Sequence, residues 1–411
     1  MFKIIKKDKK TEKRAGIFKT IHGGVATPVF MPIATQAAVK NLTSEEIKDL
    51  GGEIILGNTY HLSLRPGEKI IKKAGGLHKF MNWSGPILTD SGGYQVFSLG
   101  SRRRERNFSF AELAPPAAGP KQSSCEKFIP ASLANNLVKI SDKGVHFRDP
   151  LGGKKYFLTP EKSIQIQLDL GSDIIMVLDE CAGFPCSHEE AEKAVRRTTE
   201  WAKRCFKYFY SKIKNKKNRP LLFCIIQGSV YQDLRIESVK QLLNIGFSAR
   251  GGPASLWDGY AIGGVAVGEP REYLADVLRW VLPLLPENKP RYLMGLGRPE
   301  EIVSAVGAGI DMFDCVIPTR EARHGRIYKY RFFTHDLAGK KFYETLQITN
   351  SRFAKDFRPI DENCQCYTCR NLSRAYLNHL FKIKEPLALR LATIHNLKFY
   401  LDLMKGLKVF F

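Results

Sequence analysis

The chain has 411 residues, 44% hydrophobic and 26% charged, enough apolar material for one large core or two smaller ones, which excludes a disordered protein. Lys and Arg number 64 against 41 Asp and Glu, a net charge of +23 that points to nucleic acid, a membrane surface or another acidic partner. No stretch approaches the roughly 18 apolar residues of a membrane span, and the lysine-rich residues 1–14 lack the apolar segment of a secretory signal, so a soluble, cytoplasmic protein is expected.

In chain order, short apolar, β-rich runs occur at residues 29–33, 53–56, 87–89, 174–178, 221–226, 260–262, 292–294 and 312–316. Amphipathic helical patterns separate most of them. Thr43 with Glu46 and Ser187 with Glu190 have capping-box spacing, Thr159-Pro160-Glu161 sets a cap before a first-turn proline, and Pro270 and Pro299 open further patterns. Gly171, Gly246 and Gly309 are expected to close helices. Strand and helix alternating eight times predicts an α/β fold, a (β/α)8 barrel whose active site lies at the C-terminal ends of the strands. Asp90 follows the third run, Asp179 the fourth, Gln227 the fifth, Gly263-Gly264 the sixth and Gly295 the seventh, while Asp314 lies in the eighth. Any one of these alone reads best as a turn residue at a strand end. Their coincidence on one rim reads as a site.

Two segments break the rhythm. About eighty residues separate the third and fourth runs, including Arg102-Arg103-Arg104 and an Ala/Pro/Ser-rich stretch at 111–124; the lack of apolar periodicity predicts an insertion at about 101–134 that stays out of the core. A second Gly/Pro-rich insertion is read at 248–257. The barrel is expected over residues 1–320 and a zinc-binding subdomain with C-terminal helices over residues 321–411. That last portion holds 17 Lys and Arg against 8 Asp and Glu, a net +9 suited to phosphates. The nine cysteines are an odd number, and Cys364, Cys366 and Cys369 crowd together, which favours a metal over a disulfide framework. Three thiolates and an imidazole make a closed tetrahedral zinc set, a structural one. The residues alone leave His379 and His395 as equal candidates for the fourth ligand.

Asp314 stands within the apolar run of residues 309–320, where an ionised carboxylate costs several kcal/mol unless it is neutralised or used. Arg320, Arg323 and Arg326 follow at once. A carboxylate beside a run of cations in a basic chain suggests chemistry on a polyanion.

The stretch Thr89-Asp90-Ser91-Gly92-Gly93-Tyr94-Gln95-Val96-Phe97, with Asp179-Glu180-Cys181, Gln227-Gly228, Gly263-Gly264-Val265-Ala266-Val267-Gly268-Glu269, Leu293-Met294-Gly295, Phe313-Asp314-Cys315-Val316 and the Cys-x-Cys-x2-Cys cluster with His395-Asn396, resembles the tRNA-guanine transglycosylases, or queuine tRNA-ribosyltransferases, nearly end to end apart from the two insertions. The resemblance implies exchange of guanine at the wobble position of tRNA anticodons for a 7-deazaguanine, in queuosine biosynthesis, within an irregular (β/α)8 TIM barrel bearing a zinc subdomain. It selects His395 to join Cys364, Cys366 and Cys369 around one structural zinc per chain. It leaves His379 on a helix face associated with dimer contacts, so a homodimer is expected.

By the same resemblance Asp314 attacks ribose C1′ and Asp90 is the general acid/base. A double displacement through a carboxylate retains configuration, as the exchange requires. Asp179 and Gln227 would pair with the base edge, the Gly264 amide would meet its carbonyl, Tyr94 and Met294 would sandwich the ring, and Ser91, Cys181, Val265, Val267 and Gly295 would complete the base pocket. Cys181 and Val267 match the bacterial members, which insert the aminomethyl precursor preQ1. Archaeal relatives, acting in the D-arm, carry further C-terminal RNA-binding modules, and none is read here. Arg320 and Arg323 are expected on the anticodon-loop backbone. The competing reading is a non-catalytic, zinc-containing RNA-binding partner subunit on the same fold. Such a subunit would be expected to have lost the catalytic carboxylates, whereas Asp90 and Asp314 are both present. A barrel enzyme of free nucleosides would not need so basic a chain.

Overall fold

The computed structural model of the chain describes residues 2–94, 138–149, 152–213, 218–248, 257–332 and 337–409. The insertion expected at about 101–134, and most of that at 248–257, lie outside these residues. Three antiparallel strands, β1 (Lys3–Lys7), β2 (Arg14–Thr20) and β3 (Gly23–Thr27), precede a parallel sheet of nine segments. These are β4 (Val29–Met31), β5 (Ile33–Ala34), β6 (Ile55–Gly57), β7 (Ile87–Thr89), β11 (Ile174–Met176), β12 (Leu221–Ile226), β13 (Gly259–Ile262), β14 (Arg291–Leu293) and β15 (Met312–Asp314).

The nine segments amount to eight strands. β4 pairs with β15 at one end of the sheet order and β5 with β6 at the other, and only Pro32 separates β4 from β5. Proline cannot donate to a ladder, so the strand is interrupted there, while the Pro32 carbonyl still accepts from Leu56 N at 3.0 Å. The sheet therefore closes through Pro32, and the expected α/β barrel is present. Strand interiors such as β12, with five of six residues buried, fill it.

The helix signals mostly hold. Thr43 and Ser187 form full capping boxes, Thr159 caps the helix Pro160–Leu170, and Gly171 closes it at φ 75°. Gly246 does not close a helix, because the helix Gln232–Ser248 continues past it. A lone glycine costs a helix about 1 kcal/mol but is not a stop signal by itself. The pattern after Pro270 becomes a helix only at Tyr273. Trp257, read as the end of an insertion, is a core residue: it is fully buried and its indole donates to Leu242 O at 2.8 Å.

Between β7 and β11 the described part of the long excursion is not structureless. It forms an antiparallel side sheet, β8 (Val138–Ser141), β9 (Gly144–Arg148) and β10 (Lys155–Leu158), in the order β10-β9-β8. Beyond β15, a hairpin of β16 (Arg326–Tyr330) and β17 (Tyr343–Gln347) leads to three helices, Tyr367–Asn371, Arg374–Lys382 and Pro386–Val409. The last helix packs on Ile317–Arg323, and Asn396 explains how. Its Nδ2 donates to Pro318 O and Arg326 O, and its Oδ1 accepts from Tyr328 N.

Candidate active site

Each barrel strand ends on the same rim, and the residues expected there meet. Asp314, the last residue of β15, is buried, and burial raises its carboxyl above the ordinary range. Its Oδ1 accepts from Tyr292 Oη at 2.5 Å and from Gly295 N at 2.8 Å. Among the described residues no cation neutralises it and no donor reaches Oδ2. One oxygen is thus fixed and the other is left for chemistry. Gly295 takes φ 71°, the conformation that turns its amide toward Asp314 after β14.

Asp90 follows β7 and is tied to the loop after the neighbouring strand β6. Asn58 Nδ2 donates to Oδ2 at 2.6 Å and Thr59 N to Oδ1 at 2.8 Å. Asp179 is fully enclosed: Ser91 Oγ donates to Oδ1 at 2.9 Å and Gln227 Nε2 to Oδ2 at 2.7 Å. Burial outweighs those two hydrogen bonds and pushes its carboxyl up to about 6. Glycines make the close approach possible. A Cβ on Gly264, which takes φ 63°, would lie 2.5 Å from Gln227 Oε1, and one on Gly93 would lie 2.7 Å from Asp179 O. Asp179, Gln227 and the backbone at Gly264 therefore present acceptors and donors side by side, in the manner that reads a purine edge.

Around this group lie the other expected residues. Val265 is buried, Met294, Val267 and Cys181 are partly buried, and burial raises the Cys181 thiol well above its usual value. Tyr94 is 47% exposed at the mouth. Arg320 is exposed on Ile317–Arg323, whereas Arg323 turns back and donates to Thr319 O at 2.9 Å.

Several participants escaped the sequence reading. Asn58 and Thr59 stand just past the second apolar run, and the rule that found Asp90 at a strand end would have found them too. Tyr292 was counted as an apolar strand residue, though a phenol within a short buried run needs a partner. Arg235 carried no visible signal. Fully buried, it donates to the carbonyls of Ser229, Ile226, Gly263 and Gly264, holding the loops after β12 and β13 against each other, and burial lowers its guanidinium to about 10.

The second centre is the cluster of Cys364, Cys366, Cys369 and His395, whose candidate ligand atoms all lie within 4.8 Å of one another and could hold a metal ion. His395 Nδ1 is 3.1 Å from Cys369 Sγ and 3.7 Å from Cys366 Sγ. The edge between S and N of a tetrahedral zinc site is about 3.6 Å, so the donor set fits. His395 Nε2 lies 2.6 Å from Tyr328 O, which fixes the tautomer that offers Nδ1 to an ion. The ambiguity over the fourth ligand ends here. His379 is exposed on Arg374–Lys382, away from the cluster.

A sequence profile described as queuine tRNA-ribosyltransferase matches residues 8–114 and 122–409, so that within the chain only residues 115–121 interrupt it. The chain belongs to the queuine tRNA-ribosyltransferase family. It is 47% identical over 408 residues to the queuine tRNA-ribosyltransferase of Desulforudis audaxviator, covering 99% of this chain and 93% of that protein. Those of Desulforamulus reducens (47% over 406 residues, 99% and 93%) and Listeria monocytogenes (46% over 407 residues, 99% and 91%) are similar over the same extent. The matched ranges take in most of 101–134 and all of 248–257, so neither segment is an insertion outside the family pattern except residues 115–121. Among the described residues no helix is long and apolar enough to cross a membrane.

Proposed function

We propose that this chain exchanges guanine at the wobble position of tRNA for the 7-deazaguanine preQ1, through a covalent ribosyl-aspartate on Asp314. The observation that carries the reading is the state of Asp314: buried, without a counter-cation, one oxygen anchored by Tyr292 and Gly295 and the other unengaged, beside a pocket built to pair with a purine. Asp314 Oδ2 forms the bond to ribose C1′ as the C1′–N9 bond breaks, and guanine departs with the electron pair and takes a proton at N9 from Asp90, leaving Asp90 ionised. The incoming base gives its N9 proton to Asp90, bonds to C1′ from the face that guanine left, and releases the Asp314 carboxylate. Two inversions return the original configuration. Ser91 and Gln227 orient the Asp179 carboxylate, Gly264 supplies an amide, and Tyr94 and Met294 lie at the ring faces. The target base must leave its stack to reach them.

Cys181 and Val267 support preQ1 over the larger queuine through their resemblance to the bacterial members. Arg320 supports the anticodon-loop contact as an exposed cation one helical turn past the nucleophile. The metal we assign is zinc, which would cross-link Cys364, Cys366, Cys369 and His395 and so hold Asn396 against the helix that follows Asp314. The division at about residue 320 follows the same logic, with the zinc subdomain packed behind the nucleophile. Exposed Tyr376 and His379 are the face we assign to a homodimer, and a tRNA substrate supports a cytoplasmic location. The test is a denaturing gel after incubation with wobble-G tRNA and a slow base analogue. Wild-type protein should show an RNA adduct and Asp314→Ala none; an adduct that survives in Asp314→Ala refutes the nucleophile.

A further inference from the structure

The side sheet β8–β10 has no part in the proposed reaction. Its strands alternate cleanly. Val145, Phe147 and Leu158 are buried inward, with Phe147 stacked on Tyr156 at 5.4 Å. The opposite face points to solvent. Lys139, His146 and Phe157 form one cross-strand row on it, since Lys139 pairs with His146 and Phe157 pairs with His146. The His146 and Phe157 rings stack at 4.0 Å and 16°, and Phe157 is 41% exposed. Arg148 and Lys155, the next cross-strand pair on the same face, border them. The three strands contain no Asp or Glu, and Lys139, Arg148 and Lys155 make no ion pair with a described residue.

We propose that this face is a stacking platform for an unpaired nucleotide of the RNA that enters the active site, flanking the base being exchanged. The proposal rests on the tRNA reading above and says where a second nucleotide goes. A stacked, solvent-exposed aromatic pair bordered by cations that make no ion pair with a described residue is what single-stranded nucleic acid recognises: an outer ring face takes a base and the cations take the backbone. The row of three cations repels a second copy of itself and attracts a polyanion. Its position suits the role. Phe147, on the inner face, packs on Tyr60 at 5.3 Å, and the neighbouring Thr59 holds Asp90. The platform is thus about one sheet thickness, roughly 10 Å, from the residue that holds the general acid/base. It is also fixed in place. Arg65 pairs with Asp149 at 2.7 Å at one end, and Trp201 and Arg204 donate to the Asp142 carbonyl at the turn.

The test is binding of an anticodon stem-loop RNA with guanine at the wobble position, together with base exchange in that RNA. Phe157→Leu keeps apolar bulk but no π face, and should weaken RNA binding and raise KM for RNA by about tenfold, while kcat at saturating RNA and binding of free guanine stay unchanged. Phe157→Trp should restore affinity. Lys139→Gln with Lys155→Gln should reduce the salt slope of binding by about 1.4, or 0.7 per phosphate contact on a single strand. RNA affinity within twofold of wild type in Phe157→Leu would overturn the platform, as would a change in solution mass without a change in RNA affinity, which would assign the face to a second copy. Wild-type protein that binds the RNA through Phe157 yet exchanges no guanine would instead refute the exchange reading and leave the platform standing.

Discussion

The two ends of the barrel handle buried carboxylates in opposite ways. Asp311 and Asp314 bracket β15. Asp311, at the N-terminal end, is ion-paired with Arg14 at 2.5 Å and accepts from Arg291 N. Asp314, three residues on, has a phenol and one amide and no cation. Asp173 and Asp179 bracket β11 in the same manner. Asp173 accepts from His22 Nδ1, His22 N and Ile87 N and faces His78 Nε2 at 3.1 Å, and these bonds together overcome burial and hold its carboxyl below the ordinary value. Asp179, with two neutral donors, is raised to about 6. A carboxylate fully met by donors and charge holds the fold together, whereas one left short is available to react or to bind. The N-terminal end is therefore built for stability and the C-terminal end for chemistry.

The sharpest way to break this comparison is to remove both carboxylates of β15 in turn. Asp314→Ala should cut base exchange on the order of a thousandfold or more, as loss of a nucleophile does, and leave the melting temperature and tRNA affinity nearly unchanged. Asp311→Ala leaves Arg14 buried and unpaired and should destabilise the fold by about 3–5 kcal/mol, seen as a large drop in denaturation midpoint. A stable, inactive Asp311→Ala protein, or an unfolded Asp314→Ala protein, would dissolve the distinction. The metal cluster belongs with the satisfied groups. Elemental analysis should find about one zinc per chain, chelation should lower the melting temperature, and His395→Ala but not His379→Ala should lose the ion.

β11 offers a subtler contrast, in the sign of a pH dependence. Asp179 titrates higher in the folded chain than unfolded, so the folded state holds the extra proton between about pH 4 and 6, and stability falls as pH rises through that window. Asp179→Asn should therefore gain on the order of 2–3 kcal/mol relative to wild type above pH 6 and nothing below pH 4. Under the proposed reading the ionised Asp179 pairs with the base, so affinity for guanine should rise with pH up to about 6 and then level off. Asp173 has the opposite sign. Its carboxyl is depressed, so its stabilisation is present above the unfolded value near 4 and fades as pH falls through the folded one. Asp173→Asn should lose stability at neutral pH and converge with wild type in acid. Parallel pH profiles for the two variants would show that the two ends do not differ.

How legible this was in the sequence depends on which end is considered. The rim was legible, because Asp90, Asp179, Gln227 and Gly264 stand just past the ends of apolar runs and Asp314 lies within one, and strand period and position on the rim are local signals. Asn58 was open to the same rule and was passed over, and Tyr292 was open to another, that a phenol within a buried run needs a partner. The N-terminal end was not legible: Arg14 finds Asp311 across 297 residues, and His22 finds Asp173 across 151, with nothing local to announce either pairing. The side sheet was hidden for another reason. Its strands are four or five residues long and sit within a stretch whose composition suggests loop, so short alternation at Lys139, His146 and Phe157 was outweighed by its surroundings.

Tyr292→Phe sharpens the picture of Asp314 itself. Loss of a hydrogen bond to a charged group is worth about 1.5–3 kcal/mol, so turnover should fall roughly ten- to a hundredfold, provided that the bond holds Oδ1 while Oδ2 attacks. The adduct should still form, more slowly, and KM for tRNA should not move. An unchanged turnover would mean that Gly295 N alone suffices to hold the carboxylate.

The smallest effects concern the cations past the rim, where exposure again decides. Arg320 is exposed, and its nearest acid, Glu321, lies 3.8 Å away, too loose to neutralise it. Arg323 already donates to Thr319 O within its own helix. Both follow the nucleophile, but only the first has its guanidinium fully available to a phosphate. Arg320→Gln should raise KM for tRNA severalfold and reduce the salt slope of binding by roughly 0.7–0.9, the value of one phosphate contact. Arg323→Gln should change the slope by less, since part of its hydrogen-bonding capacity is spent internally. Measured over a range of salt, equal slopes for Arg320→Gln and wild type would remove Arg320 from the RNA interface. A larger loss from Arg323→Gln than from Arg320→Gln would mean that Arg323 swings away from Thr319 when RNA binds.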